Sequence, residues 1–376
     1  MKRLAQKPCL PAPAPARDPS QAARRLEAAA LELGFVAAGI APAVLPAPEP
    51  ERLLAWLAAG HHGDMDWLAE RAAERADARA LLPGARSVLM VALPHEPERR
   101  ARPDPTPPTG RGYVASYAAA RLDYHRVVAA RLEALERFVA DLLPGERARR
   151  FCDTTPLLER AFARAAGLGF VGKNGCLIDP RRGSFLFLGG LALTAALPPD
   201  GPQPDATGGC GTCTRCLEAC PTAAFPAPWV LDARRCLSYL TIEKKGSWPE
   251  ELRAAAGTHV FGCDLCQTVC PWNKFSPPAD PELAPDPARR EPELLPLLRR
   301  ARDAFKGLAR GTPWERAGKR GLLRNAITAL GNAGRREPEV VAELEALAGH
   351  EDEGVRAHAR WALARLAGGE AEEPAP

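Results

Sequence analysis

Apolar residues recur at spacings of three and four over residues 122–143 (LDYHRVVAARLEALERFVADLL), and the pattern stops at Pro144-Gly145. This predicts an amphipathic helix with one face on a core. A second helix is predicted over 20–34, opened by Ser20 as N-cap and closed by Gly34. A third is predicted over 156–167, with Pro156 in its first turn and Gly167 behind its end. Residues 51–80 carry two further helical stretches around the turn-like His61-His62-Gly63-Asp64. Elsewhere the period changes. SVLMVAL at 87–93 is a continuous apolar run ended by Pro94, which predicts a buried strand. Cys176–Ile178 and Phe185–Leu193 flank Asp179-Pro-Arg-Arg-Gly183 and predict a strand-turn-strand unit. Helices and strands interleave to about residue 197, the pattern of an α/β or α+β domain.

After residue 285 the pattern is wholly helical. A shift of 33 residues sets LLRNAITALGNAG (322–334) on VRAHARWALARLAG (355–368), with Ala326 on Ala359, Ala329 on Ala362 and Leu330 on Leu363. Two short helical repeats of the HEAT kind are predicted. Proline, 39 residues of 376, gathers at 8–19, 97–108 and 277–296, which read as linkers, and 197–209 reads as another. No run of 18 apolar residues exists, so no membrane span is predicted. The N-terminus lacks the apolar stretch of a secretory signal and reads as a flexible tail, with Cys9 incidental to it.

Charge changes the picture at the C-terminal end. Residues 299–336 hold eleven Lys/Arg against Asp303 and Glu315, a net +9, and residues 337–376 hold three Arg against ten Asp/Glu, a net −7. A dense basic patch of this kind fits a polyanionic partner or a solvated helical face.

Eight of the eleven cysteines crowd into 210–270. Cys210-x2-Cys213-x2-Cys216-x3-Cys220-Pro221 is the spacing of a bacterial ferredoxin run, in which three thiolates hold one [4Fe–4S] cubane and the fourth reaches a neighbouring one. A partner run, Cys263-x2-Cys266-x3-Cys270-Pro271, lacks a cysteine at 260, where Val260 stands, and Cys236 restores the count to eight. Crossed ligation assigns Cys210, Cys213, Cys216 and Cys270 to one cluster and Cys220, Cys236, Cys263 and Cys266 to the other. A zinc ribbon would leave four cysteines and both Cys-Pro pairs without a role. The grouping points to a metal in a reducing compartment, and a cytoplasmic location is expected.

Upstream, FCDTTPLLERAFARAAGLGFVGKNG (151–175) admits two readings. Asp153 precedes a helix whose N-terminal dipole would stabilise its anionic form, or one of Asp153, Thr154 and Thr155 simply caps the helix that Pro156 opens. Gly167, Gly169 and Gly172 beside Lys173 and Asn174 resemble a loop that lets backbone approach a ligand closely; no dinucleotide or Walker motif supports it. Cys152 and Cys176 read as core thiols. Asp123-Tyr124-His125 approaches a D-x-H-x-x-G motif, but position 128 is Val, so the match fails.

Taken together, these segments resemble the epoxyqueuosine reductase family: Asp153-Thr-Thr-Pro-Leu-Leu-Glu159, Gly167-Leu-Gly-Phe-Val-Gly-Lys-Asn174, Ser184-Phe-Leu-Phe-Leu-Gly189, His62-Gly-Asp-Met-Asp-Trp-Leu68, Asp123-Tyr-His125, the cysteine set with its separate Cys236, and Arg320-Gly-Leu-Leu-Arg-Asn325. The resemblance spans about residues 20–368. It implies reduction of epoxyqueuosine to queuosine at the wobble position of tRNA with a GUN anticodon, by base-off cobalamin fed from two [4Fe–4S] clusters and an external electron donor, with Asp153 as proton donor. It further implies that Tyr117, Asp153, Lys173, Cys176, Ile178, Ser184 and Gly189 face the cobalamin, and that Lys319, Arg320 and Arg324 grip tRNA. On this reading residues 1–19 are a tail, 20–197 an α/β (α+β) cobalamin-binding catalytic domain, 198–280 a ferredoxin-like domain and 281–376 a HEAT-like region, in a monomer without a membrane part. Burial against the corrin would have to raise the Asp153 pKa, where a helix N-terminus would lower it. A plain electron carrier and a reductive dehalogenase relative are the alternatives; neither accounts for a basic C-terminal region.

Overall fold

The computed structural model describes residues 9–95, 110–202 and 209–368. The proposed linker at 97–108 and tail residues 1–8 lie outside them. In chain order the N-terminal half runs α1 (Pro19–Glu32), β1 (Ala37–Pro42), α2 (Glu49–Ala58), α3 (Trp67–Glu70), β2 (Ser87–Pro94), β3 (Tyr113–Val114), α4 (Tyr124–Leu142), β4 (Ala148–Phe151), α5 (Glu159–Ala165), β5 (Phe170–Val171), β6 (Leu177–Ile178) and β7 (Leu186–Leu193). The cysteine region carries α6 (Arg215–Glu218), α7 (Leu237–Ile242), α8 (Glu250–Ala255), β8 (His259–Phe261) and α9 (Leu265–Thr268). Helices α10 (Pro287–Arg290), α11 (Leu294–Asp303), α12 (Phe305–Ala309), α13 (Gly318–Asn332), α14 (Pro338–Leu347) and α15 (Glu353–Ala367) complete the chain.

The central sheet has the order β1-β2-β7-β4, with every neighbour antiparallel. β2 is buried along its whole length because the sheet is covered on both faces. Leu89, Val91 and Leu93 join α1 and α4 in one core, while Val88, Met90 and Ala92 meet α5 in another. That explains a continuous apolar run in an antiparallel strand, where alternation is the rule for one-sided sheets. The N-terminal half is therefore α+β.

Several expectations shift. Asp18, not Ser20, caps α1, accepting from Ser20 N at 3.0 Å. The predicted strand-turn-strand is present, with β6 and β7 on either side of the Asp179–Gly183 turn, but the two strands do not pair as a hairpin. β6 instead pairs with β5, and β7 enters the central sheet. The N-terminal segment is not free: Leu10 and Ala16 pack on the α1/α4 core, and Ala16 N donates to Leu142 O at 2.8 Å. The linear division into domains is also crossed, since β3 pairs in parallel with β8 from the cysteine region.

Helices α13 and α15, which the 33-residue period relates, stack against each other, and α11 and α14 pack beside them in one apolar core. Gly331 lies where an added Cβ would stand 2.9 Å from Ala362 Cβ, so the helices approach closely. The charge segregation of the sequence folds back on itself. Arg299 and Arg302 pair with Glu343, Arg335 with Glu337, and Arg320 stands 3.5 Å from Asp352.

Arg324, expected to reach phosphate, is only 3% exposed. Its guanidinium donates to the carbonyls of Leu240 (2.8 Å), Lys244 (2.9 Å) and Gly246 (2.6 Å), and Asn325 Nδ2 donates to Thr241 O and Val260 O. These two residues bolt α13 to the cysteine region, and burial pushes the Arg324 pKa down to about 9. Arg324→Met would leave the buried Leu240 carbonyl without its donor, at roughly 1–3 kcal/mol, and free the more open carbonyls of Lys244 and Gly246 to water. We expect a melting temperature lower by about two to four degrees (on the order of 2–3 kcal/mol over a chain of 376 residues), with no change in the salt dependence of RNA binding. A normal melting temperature would remove the bolt from the account.

Candidate functional site

The eight crowded cysteines form two groups. Cys210, Cys213, Cys216 and Cys270 line one cavity of about 200 Å³, together with Lys173, Asn174, Ile178, Arg215 and Trp272. Cys270 arrives from the second run, as crossed ligation requires. Burial pushes the Cys270 thiol up to about 11, and the neighbouring Cys210, Cys216 and Cys213 add to it. The other four keep similar company: burial raises the Cys236 and Cys263 thiols, each with Cys220 beside it, and Cys266 neighbours Cys263 and Cys236. Among the described residues no three His, Cys, Asp or Glu side chains converge tightly enough for a single metal ion. Thiols standing apart around a cavity suit the separated corners of a cubane, not a tetrahedral zinc ion.

Main-chain donors reach the sulfurs, with Lys173 N 3.4 Å from Cys210 Sγ and Ala224 N 3.3 Å from Cys220 Sγ. Lys173 Nζ donates to Gly211 O (2.8 Å) and Cys213 O (3.0 Å), tying the first loop down. Cys176 is not a plain core thiol: it stands beside Cys266, each thiol shifting the other, which places a ninth thiol against the second group. Cys152 does pack on the α1/α4 core.

Asp153 sits at the centre of a second site. α5 starts at Glu159, two turns' worth of chain beyond Asp153, and has no side-chain cap, so the capping alternative fails. The Asp153 carboxylate Oδ2 instead accepts from Tyr124 OH (2.5 Å) and faces His125 Nε2 (3.2 Å). His125 Nδ1 is held 2.7 Å from Asp123 Oδ1. Both partners come from the first turn of α4, where the Tyr124 ring stacks on His125 and on Phe187 of β7. The backbone of Asp153 is left-handed, φ 52°, and its N–H donates to Glu159 Oε1 at 2.5 Å. A non-glycine residue held there costs about 1 kcal/mol or more and needs such an anchor. The carboxylate remains 58% exposed.

Burial acts to raise the Asp153 pKa, as a proton donor would need. The hydrogen bonds from His125 and Tyr124 and the charges of His125 and Arg316 outweigh it, and the carboxyl lies below the ordinary range. Burial would lower His125, but its bonds to Asp123 and Asp153 push it up to about 9. Burial, with Asp153 adjacent, pushes the Glu159 carboxyl up to about 8. At neutral pH the proton therefore resides on His125, one hydrogen bond from Asp153. Arg316 completes this edge: it pairs with Glu243 at 2.8 Å and stands over the half-exposed Trp67 ring.

The expected site residues separate accordingly. Tyr117 lies between the two centres, against Tyr124 and Phe261 and within the influence of Asp264 and Asp153. Lys173 and Ile178 belong to the first thiol cavity. Ser184 hydroxyl donates to Gln267 Oε1 at 3.0 Å, bracing the loop between Cys266 and Cys270. Gly189 faces no open space, because an added Cβ would meet Phe151 O and Val128 at 3.1 Å. Lys319 and Arg320 are exposed in the first turn of α13, three and four residues from Arg316, while Arg324 is buried. Sequence reasoning set His125 aside as part of a failed motif match and passed over Tyr124, Glu159 and Arg316. The signal was present for two of them, since Asp123-Tyr-His125 and Glu159 sit inside the quoted segments.

Two family models match the chain: "Epoxyqueuosine reductase QueG, DUF1730" over residues 75–154 and "4Fe-4S double cluster binding domain" over 209–273. The chain is 42% identical over 353 residues to the epoxyqueuosine reductase of Pseudomonas aeruginosa, covering 93% of this chain and 95% of that one. Among solved structures it resembles an epoxyqueuosine reductase crystallised with an epoxyqueuosine-modified tRNA-Tyr stem loop (TM-score 0.81, 32% identity, 93% and 91% covered). It also resembles the Bacillus subtilis epoxyqueuosine reductase, solved with an aspartate-bearing catalytic loop swung out of the active site (TM-score 0.79, 31% identity, 93% and 91% covered).

The carboxylate–histidine network has a pH signature. Folded His125 holds its proton more tightly than the unfolded residue, whose pKa is about 6.5. Its stabilisation is complete below that value and is lost as pH rises through about 9. Glu159 acts in the same sense, binding a proton up to about 8 when folded. Thermal melts should show stability falling from about pH 4.5, where Glu159 begins to resist deprotonation, to about pH 9, where His125 loses its proton. In His125→Gln the fall should be shallower and end near pH 8; an unchanged curve would show that His125 is not raised.

Proposed function

The chain belongs to the epoxyqueuosine reductase family and reduces epoxyqueuosine to queuosine in tRNA, and we propose that it does so with cobalamin at the Asp153 site, two [4Fe–4S] clusters and the Asp153–His125 pair as proton source. The observation that carries this reading is the His125–Asp153–Tyr124 cluster on the open side of a domain whose other half holds the thiols. The double-cluster domain supplies two [4Fe–4S] sites; we assign Cys210, Cys213, Cys216 and Cys270 to one and Cys220, Cys236, Cys263 and Cys266 to the other.

The residues at hand fit base-off cobalamin in a specific respect. Both ring nitrogens of His125 are engaged, by Asp123 and Asp153, so this imidazole is not offered to cobalt, while the carboxylate stays open to a ligand. Tyr117 and Asp153 would face the group. Reduced cobalamin supplies a nucleophile strong enough to attack an epoxide carbon. Opening the ring and losing its oxygen as water, to leave an alkene, consumes two electrons and two protons. His125 holds a proton at Nε2, 3.2 Å from Asp153 Oδ2, and Asp153 would pass it to the leaving oxygen, the second proton following by the same route once His125 is recharged from solvent. Asp123 keeps the ring oriented and favours its charged form. Tyr124 fixes the carboxylate, and Glu159 holds the Asp153 peptide in place.

Transfer RNA would lie along Arg316, Lys319 and Arg320, with the HEAT-like pair α13/α15 as its support and the wobble base at Asp153. A cytoplasmic monomer drawing electrons from an external donor completes the reading.

Asp153→Asn keeps size and polarity and cannot carry the proton. Turnover of epoxyqueuosine-containing stem loop should fall on the order of 10²–10⁴-fold, with iron content and melting temperature near wild type. Activity within a factor of two would dismiss Asp153 as the donor. For the RNA, Lys319→Ala with Arg320→Ala should weaken modified and unmodified stem loops alike and flatten the plot of log Kd against log salt by about one unit per lost phosphate contact. An unchanged slope would move RNA binding off the start of α13.

A further inference from the structure

The two thiol groups are not equally placed. Around the first, Gly211, Thr212, Arg215 and Pro271 are exposed. Around the second, Leu237, Leu240, Phe261 and Leu265 are buried. From the second group the contacts lead inward to the Asp153 site. Asp264, next to Cys263, accepts from Ser116 N at 2.6 Å, and the adjoining Tyr117 packs on Phe261 and Tyr124. Electrons from outside therefore meet the first group first.

The surface over that first group has an unusual make-up. Among the described residues only six large hydrophobic side chains are exposed, and two of them, Trp229 (58%) and Phe275 (45%), are here. Trp229 is held in a left-handed conformation, φ 66°, with its N donating to Lys173 O at 2.9 Å and its Nε1 to Val171 O at 3.1 Å. Lys173 lines the first cavity and its ammonium lies 6.0 Å from the Trp229 ring. Phe275 follows Pro271 and Trp272 of the cavity wall, with Lys274 Nζ 4.6 Å from its ring. The Asp179–Gly183 turn that carries Arg181 packs on Asn273 and Ser276 beside it. Lys274, Arg181 and Arg215 have no carboxylate partner among the described residues, in contrast to the paired cations of α11. The exposed acid nearby, Glu218, is bonded to the Thr214 hydroxyl.

Resting on the two-cluster assignment above, we propose that this face, with Trp229 and Phe275 as anchors and Lys274, Arg181 and Arg215 around them, docks a small acidic one-electron carrier protein that reduces the first cluster. Fixed aromatic anchors ringed by unpaired cations are what a transient complex with an acidic partner uses: the rings exclude water and the charges speed the encounter. In each encounter the carrier loses one electron and the first cluster gains it; two encounters supply the two electrons of one turnover. A nucleic acid is also acidic, but it cannot deliver electrons, and the RNA surface lies with Arg316 at the Asp153 end.

The test uses the anaerobic holoenzyme with both clusters, mixed in a stopped-flow instrument with a reduced flavodoxin while cluster bleaching is followed. Lys274→Glu with Arg181→Glu should lower the bimolecular rate constant about tenfold at low salt and remove most of its ionic-strength dependence. Trp229→Ala should lower it severalfold at every salt concentration. Bleaching by dithionite, iron content and stem-loop affinity should be unchanged in both variants. Wild-type rates with flavodoxin in both variants would overturn the proposal. So would a parallel loss of stem-loop affinity, which would give the face to RNA. Wild-type protein that dithionite fails to bleach would sink the cluster assignment itself, and the docking face with it.

Discussion

Neither thiol group is completed by one cysteine run alone, and that constraint organises the molecule. Cys270 stands with the thiols of the first run, and Cys220 with those of the second. Two loops some fifty residues apart must therefore meet in a fixed relation before either cavity exists. The segment between them supplies Cys236 on the entry to α7 and the strand β8, and β8 pairs with β3 of the N-terminal half. The α+β half and the thiol region are thus one folding problem. Arg324 and Asn325 extend it to the helices by capping carbonyls of α7, the loop after it and β8.

The same interlocking brings the chemistry within reach of the electrons. Tyr117 follows the strand that pairs with β8, so the pairing that frames the second thiol group also sets the wall of the Asp153 site. Asp153 is held by three elements at once: Tyr124 and His125 from α4, Glu159 from α5, and the Arg316 charge from the segment before α13. A left-handed aspartate on a loop would not keep one position without them.

The low carboxyl of Asp153 changes how the acid is understood. A donor with a raised pKa needs burial and few partners. Here the partners win, and the proton moves one bond back, to His125. In the proposed reaction Asp123 would orient the ring and Asp153 would hand the proton on, as in a histidine–carboxylate relay.

Much of this was legible in the chain itself. Cysteine spacing points to a two-cluster domain because a cubane's corners demand particular loop lengths, and a double-cluster family model matches over residues 209–273; β2 and α4 follow from apolar period alone. What the chain could not disclose depends on contacts between distant segments. Arg324 reads as one more cation in a basic run, and only the packing of α13 on α7 buries it. The net +9 stretch reads as a free patch, yet Glu343 and its neighbours fold back to neutralise much of it. Asp153 reads as a helix cap until α5 starts later than Pro156 suggests and α4 brings Tyr124 and His125 across. Spacing is a local property that sequence states directly. Burial, ion pairing and protonation belong to neighbours that only the tertiary structure brings together.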